Sequence, residues 1–274
     1  GSEMCIRDRY KSEYELAPIE CYDIIENDMT YLYYRGKPLY PFGHGLSYAK
    51  FEYSDFNVKE NGDVISVSLD VANVSETDSD EVVQIYFRME NPSVKRPLRQ
   101  LVAFARERIE GGRTRHFEFD IKKSELRFYD VSRERFAVEQ GRYTFMAGAS
   151  SEDIRLTKTI DVSGEIIPPR ELCKGVKAKN YDGKYGTKMK YSKKLEQHYM
   201  LGGGLIYNNC VLGEADSIEI VCGSRVNTGK ITVRYGGETL CEAEVKPTVD
   251  VTEFETVTAQ FDKAVLCLLY TSPS

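Results

Sequence analysis

Hydrophobic and polar positions alternate along much of the chain between residues 51 and 164. Ile65, Val67, Leu69 and Val71 are interleaved with Ser66, Ser68, Asp70 and Ala72, a period of two that predicts a half-buried strand. Val83, Ile85 and Phe87 repeat the period after the polar turn from Ser75 to Asp80. Phe117, Phe119 and Ile121 form a third run after Gly111-Gly112. Phe136 and Val138 are followed, across Gln140-Gly141, by Tyr143, Phe145 and Ala147, which predicts a hairpin turning at that Gln-Gly pair. Ile154, Leu156 and Ile160 close the series. About seven short strands in some 110 residues predict an immunoglobulin-like sandwich. There is no Cys…Trp…Cys pattern, because the chain has no Trp at all, so a true immunoglobulin domain is excluded.

Pro168-Pro169 breaks the pattern and reads as a linker. Alternation resumes in residues 171–266: Ile218, Ile220 and Cys222, then Ile231, Val233 and Tyr235, a turn at Gly236-Gly237, and Val257, Ala259 and Phe261. This predicts a second β-sandwich lacking its last strand. Residues 10–50 differ from both. They are dense in Tyr and Phe, and Lys37 to Tyr48 holds two prolines and two glycines, which excludes a regular helix there and predicts an extended strap with a fixed turn. A segment this short has no core of its own and must pack on something else. The fold class expected is therefore all-β, with two consecutive sandwiches preceded by the strap.

Composition narrows the function classes. Thirty-seven basic against 43 acidic residues leave a formal charge of −6, which argues against a nucleic-acid partner and against binding to an anionic membrane surface. No run approaches the roughly 20 apolar residues of a membrane span. The two ends stand apart. Residues 1–9 and 267–274 can be encoded by DNA strings that are inverted copies of each other, the mark of a translated sequencing adapter, and they are left out of the fold reasoning. Cys21, Cys173, Cys210, Cys222 and Cys241 then remain, with no CxxC or Cys/His spacing for zinc, and mostly free thiols are expected. No cofactor is called for.

The string Tyr34-Arg35-Gly36-Lys37-Pro38-Leu39-Tyr40-Pro41-Phe42-Gly43-His44-Gly45-Leu46-Ser47-Tyr48 resembles the end of the second, α/β domain of family 3 glycoside hydrolases, the β-glucosidases and β-xylosidases. Glu81 to Tyr86, Pro97 to Phe104, Gly141-Arg142-Tyr143 and Gly148 to Arg155 are similar to that family's fibronectin type III-like domain. The resemblance implies that residues 10–50 are a C-terminal tail of the α/β domain and residues 51–164 a fibronectin type III-like domain. Ala178 to Asp182 and Gly203 to Gly213 resemble a family 6 carbohydrate-binding module, a jelly-roll-like sandwich, over residues 171–266. That family usually has a calcium-binding Glu where this chain has Lys179, and a cation there would repel the metal.

Retaining glycoside hydrolysis needs two carboxyl groups about 5 Å apart. The resemblance implies that both lie upstream of the matching tail. Glu13, Glu15, Glu20, Asp23, Glu26 and Asp28 sit in no recognisable catalytic motif and read as a solvated face. His44, between two glycines, has no Ser or Cys partner at a recognisable spacing and is expected to hydrogen-bond backbone in a turn. Gly202-Gly203-Gly204 is no phosphate loop, since no Lys-Ser/Thr follows. Asn73-Val74-Ser75 matches the glycosylation triplet, which is common by chance. The catalytic set expected for this chain is none. Resemblance to the carbohydrate-binding module places Tyr199 and Phe254 at the two aromatic positions that clamp a sugar, with core or rim aromatics as the other reading. Both are expected in loops at one end of the sandwich.

The expected function is the non-catalytic C-terminal part of a β-glycosidase. Its partners would be the upstream catalytic domains of the same chain and a plant-type polysaccharide or oligosaccharide, with no nucleic acid and no membrane. A stand-alone carbohydrate-binding protein and a cell-surface β-sandwich protein are the alternatives. The Tyr-rich strap discriminates, because an independent protein has little use for it whereas a glycosidase uses it to dock domains.

Overall fold

The computed structural model describes residues 24–262, apart from 26, 187, 193–196, 202, 225–227 and 249–253 and the side chains of 188–192 and 197–201. Cys21, residues 1–9 and residues 267–274 lie outside the described residues. Among the described residues, apart from one turn of helix, α1 (Thr30–Tyr33), and short 3-10 turns, the regular structure is β. The chain divides into two compact units, the first comprising residues 1–169, 180–188 and 202–209 and the second the remainder.

In the first unit, β1 (Phe51–Asn61), β2 (Val64–Asn73), β3 (Ser79–Met89), β4 (Gln100–Ile109), β5 (Thr114–Lys122), β6 (Phe128–Asp130), β7 (Arg135–Ala137), β8 (Gly141–Gly148) and β9 (Ile154–Val162) follow in order. Seven of them form a sandwich: a three-stranded sheet β1-β2-β5 and a four-stranded sheet β4-β3-β8-β9, with β6 and β7 as a separate hairpin. The period-two reading of β2 is reproduced residue by residue, with Ile65, Val67, Leu69 and Val71 buried. They meet Val83, Ile85, Phe87, Tyr143, Phe145 and Ala147 in one core. Burying each large side chain contributes about 1.5–3 kcal/mol.

One expected element is corrected. No hairpin turns at Gln140-Gly141. β7 pairs with β6, with Phe128 opposite Ala137, while β8 pairs with β3 and β9. The backbone between them is held elsewhere: Gln140 N–H donates to Glu165 O at 2.8 Å, and Glu165 N–H donates to Val138 O at 2.8 Å. The Tyr143 hydroxyl adds a bond to Glu139 O at 2.8 Å.

Beyond Pro169 come β10 (Arg170–Glu171), β11 (Gly183–Tyr185), β12 (Lys188–Ser192), β13 (Gln197–Leu201), β14 (Gly204–Ile206), β15 (Cys210–Val211), β16 (Ser217–Cys222), β17 (Gly229–Tyr235), β18 (Glu238–Val245) and β19 (Glu255–Gln260). They associate as pairs: β10-β15, β11-β14, β12-β13, β16-β19 and β17-β18. Gly236 and Gly237, at φ of +60° and +90°, close the β17-β18 hairpin as a two-residue loop of the mirror-image type that strand twist favours. Leu212, Leu240, Cys241, Ala243, Ala259 and Phe261 form the core of the second unit. The β11-β14 pair belongs to the first unit, so the compact units do not divide at Pro168-Pro169 alone.

Candidate functional site

The described part of the aromatic strap lies on the outer face of the four-stranded sheet, on the side of β3 that carries Gln84 and Tyr86. The turn predicted in the strap is formed by Pro41 to His44: His44 N–H donates to Pro41 O at 3.0 Å, with Gly43 at φ +78° in the third position, where a type II turn needs a left-handed residue. His44 thus contributes its backbone N–H to the turn. Its exposed imidazole lies 5.5 Å from the Tyr40 ring.

Gln84 fastens that turn to the sheet. Its Nε2 donates to Gly43 O at 3.0 Å and to Ala149 O at 2.7 Å, and its Oε1 accepts from the Tyr86 hydroxyl at 2.5 Å. All three bonds are buried or half-buried, where leaving one unmade costs about 1–3 kcal/mol. Beside them the Tyr31 ring stacks on Phe42 at 4.0 Å and 8° and meets Tyr86 edge-on at 6.5 Å. Such a pair adds about 1 kcal/mol beyond its buried area. Tyr86 is fully buried under this cover, and burial pushes its phenol pKa up, as it does for Tyr31.

Further contacts extend the attachment. Ser151 N–H donates to Phe42 O at 2.9 Å, and Leu98 N–H to Leu32 O at 2.7 Å. The Arg99 guanidinium donates to Ser151 O and pairs with Glu152 at 3.1 Å. The Lys95 ammonium reaches Asp28 at 3.0 Å. Asp28 also faces Arg35 at 3.7 Å, so it is engaged in ion pairs. Glu13, Glu15, Glu20, Asp23 and Glu26 lie outside the described residues. Where the strap enters β1, Lys50 N–H donates to Ser75 Oγ at 2.8 Å.

The strap nevertheless leaves apolar side chains uncovered. Leu39, Tyr40, Phe42, Leu46 and Tyr48 are exposed, Leu46 to 93%. Phe104, which pairs opposite Gln84 in the sheet register, is 67% exposed.

The two positions expected to contact sugar, Tyr199 and Phe254, fall in the second unit. Phe254 directly precedes β19 and is 44% exposed. Tyr199 lies within β13, not in a loop as its nearness to Gly202 suggested, and its side chain is outside the described residues. Asn73 is 1% exposed: its Nδ2 donates to Thr77 O and Ile109 O, and its Oδ1 accepts from Ser75 N–H. This side chain is a structural pin, and a glycan cannot reach it without unfolding the loop. Lys179 is exposed, and among the described residues no group of three or more His, Cys, Asp or Glu side chains converges.

Sequence reasoning missed the part played by Gln84, although it lies inside the quoted string Glu81 to Tyr86. A polar residue between Val83 and Ile85 reads as a solvent-facing position, and only the overlying strap makes it a buried one.

Residues 81–151 match the family described as fibronectin type III-like domain. The first unit's sandwich is thus of the class that its strand pattern predicts. About half the chain is similar to β-glucosidases. Thermostable β-glucosidase B of Acetivibrio thermocellus is 36% identical over 143 residues, which cover 50% of this chain and 19% of that protein. A β-glucosidase of Rhizobium radiobacter is 35% identical over 127 residues, covering 45% of this chain and 16% of that protein. The crystal structure of the β-D-glucoside glucohydrolase of Trichoderma reesei superposes with a TM-score of 0.52 at 26% identity, covering 58% of this chain and 26% of that one. The chain therefore spans less than a fifth of the length of these two curated relatives.

Proposed function

We propose that this chain is a non-catalytic C-terminal portion of a family 3 glycoside hydrolase acting on β-glucosides or β-xylosides, and that its sandwich serves to dock the catalytic domains. The carrying observation is the strap: it is clamped to the sheet through Gln84 and Tyr86 while Leu39, Tyr40, Leu46 and Tyr48 remain exposed. A strap fastened on one side and apolar on the other suits a joint between two domains better than the surface of an independent protein. In this reading residues 10–50 are the tail of an upstream α/β domain, residues 51–164 the docking sandwich, and residues 171–266 a carbohydrate-contacting module that uses Tyr199 and Phe254.

The test mixes the purified chain with the catalytic domains of the Acetivibrio thermocellus β-glucosidase lacking their own C-terminal domain. Co-elution in gel filtration and a gain in hydrolysis of an aryl β-glucoside are expected, with no hydrolysis by the chain alone. Separate elution, or turnover by the chain alone that is lost on mutating one of its residues, would overturn the reading.

A further inference from the structure

Beyond Asn61 and Val64, at one end of β1 and β2, the first sandwich carries a cleft of about 570 Å³, within the usual size range of small-molecule sites.

Its floor is apolar, formed by Ala137 and Val138. Its wall is Phe136, 59% exposed on the short hairpin, with the exposed Tyr129 ring edge-on at 5.3 Å. Two aromatics held open on a three-residue strand pair bury little and contribute little to the core. The Arg127 guanidinium lies over Phe136 at 5.1 Å from the ring centroid and has no ion pair among the described residues. The other charges of the cleft are already matched: Lys123 reaches Glu60 and Ser163 Oγ, each at 2.8 Å, and Glu165 is gripped by Arg133 and Arg135. One guanidinium over an aromatic ring is left to act, on a chain whose net charge is −6.

We propose that this cleft is a carbohydrate site selective for acidic sugars, with a uronic acid carboxylate taken by Arg127 and the apolar C–H face of the ring lying against Phe136 and the floor. A planar guanidinium matches a carboxylate in a two-point fork, and stacking on an aromatic ring lowers its hydration and fixes its direction. The choice of a plant-type glycan rests on the glycosidase reading; the geometry of the cleft does not.

Affinity electrophoresis of the full chain in gels holding polygalacturonate, neutral β-glucan or poly-glutamate tests this. Retardation by polygalacturonate is expected, falling at least about tenfold in Arg127→Gln and in Phe136→Ala. Both Arg127 and Phe136 are exposed, so thermal melts should stay near wild type. Equal retardation by poly-glutamate would show a response to charge alone and overturn the proposal. So would no retardation by polygalacturonate, or equal retardation of wild type and both variants. Failure of the domain-mixing experiment would leave these results standing, so the two readings fail separately.

Discussion

Gln84 and Gly43 fit together with no space for a side chain between them. The amide Nε2 donates to Gly43 O at 3.0 Å, and a Cβ on residue 43 would stand 2.0 Å from Gln84 Oε1. Gly43 also sits at φ +78°, where an L-residue pays about 1–2 kcal/mol. Gly43→Ala should therefore release the turn at a cost of about 2–3 kcal/mol. Limited proteolysis checks it: cleavage between residues 30 and 48 should accelerate while the sandwich stays resistant. Unchanged cleavage would mean that the strap is held without Gln84.

Asn73 should behave as a core residue despite its glycosylation triplet. Asn73→Ala leaves Thr77 O, Ile109 O and Ser75 N–H without their side-chain partner. A loss of about 2 kcal/mol or more is expected from urea unfolding. Expression through a eukaryotic secretory pathway should add no glycan at this site, which intact mass spectrometry reads directly.

Glu165 gives a pH-dependent contribution of known sign. The hydrogen bond from Arg135, then that from Arg133, lowers its pKa to about 2. An ordinary glutamate titrates near about 4.3 in the unfolded chain. A group depressed in the folded state stabilises above the unfolded pKa and loses that contribution as pH falls through the folded one. Glu165→Gln should thus lower the melting temperature at pH 7, with the gap to wild type narrowing below about pH 4 and closing near pH 2. Because the carboxylate is exposed to solvent, added salt should shrink the gap. A gap that stays constant from pH 7 to pH 2 would assign the effect to packing.

Phe254→Ala should weaken retention on xylan or β-glucan by about 1 kcal/mol, the scale of an aromatic pair, with little change in melting. Tyr199→Ala should weaken it likewise. A core aromatic cut to Ala would cost about 3–5 kcal/mol of stability. Unchanged retention with a collapsed melting temperature would make both residues core.

Segment 51–164 expressed alone should unfold cooperatively, because nearly every buried residue of its core falls within it. Its melting temperature should fall below that of segment 24–169, since Gln84 and Tyr86 lose their cover. Identical melting of the two would remove the strap from the stability of the sandwich.

Strands β2 and β5 were legible because each alternates cleanly and buries one face, and β3 because Val83, Ile85 and Phe87 keep the period although Gln84 and Tyr86 on its other face are buried too. β1 was not: only Phe51 and Val58 are buried in it, and a bulge between Ser54 and Asn57, with Asp55 at φ +52°, shifts its period. β4 has an outer face of Phe104, Arg106 and Arg108 next to small Ala103 and Ala105, which hides its alternation. Phe136 shares a period of two with Val138, but its strand pairs with β6 and leaves the ring in solvent. The turn at Gly43 was legible from its prolines and glycines. Its partner was not, because nothing local in a sequence tells which distant segment will cover a glutamine.

Tyr86 and Gln84 complete their packing with residues that precede the first strand of their own sandwich. A boundary drawn by strand count would sever the module from part of its outer layer. Grafting this sandwich onto another protein would therefore require the recipient's strap to present a glycine at the turn and a ring where Phe42 stands. Gly43 and Gln84 are a matched lock, and exchange between proteins would have to move both halves together.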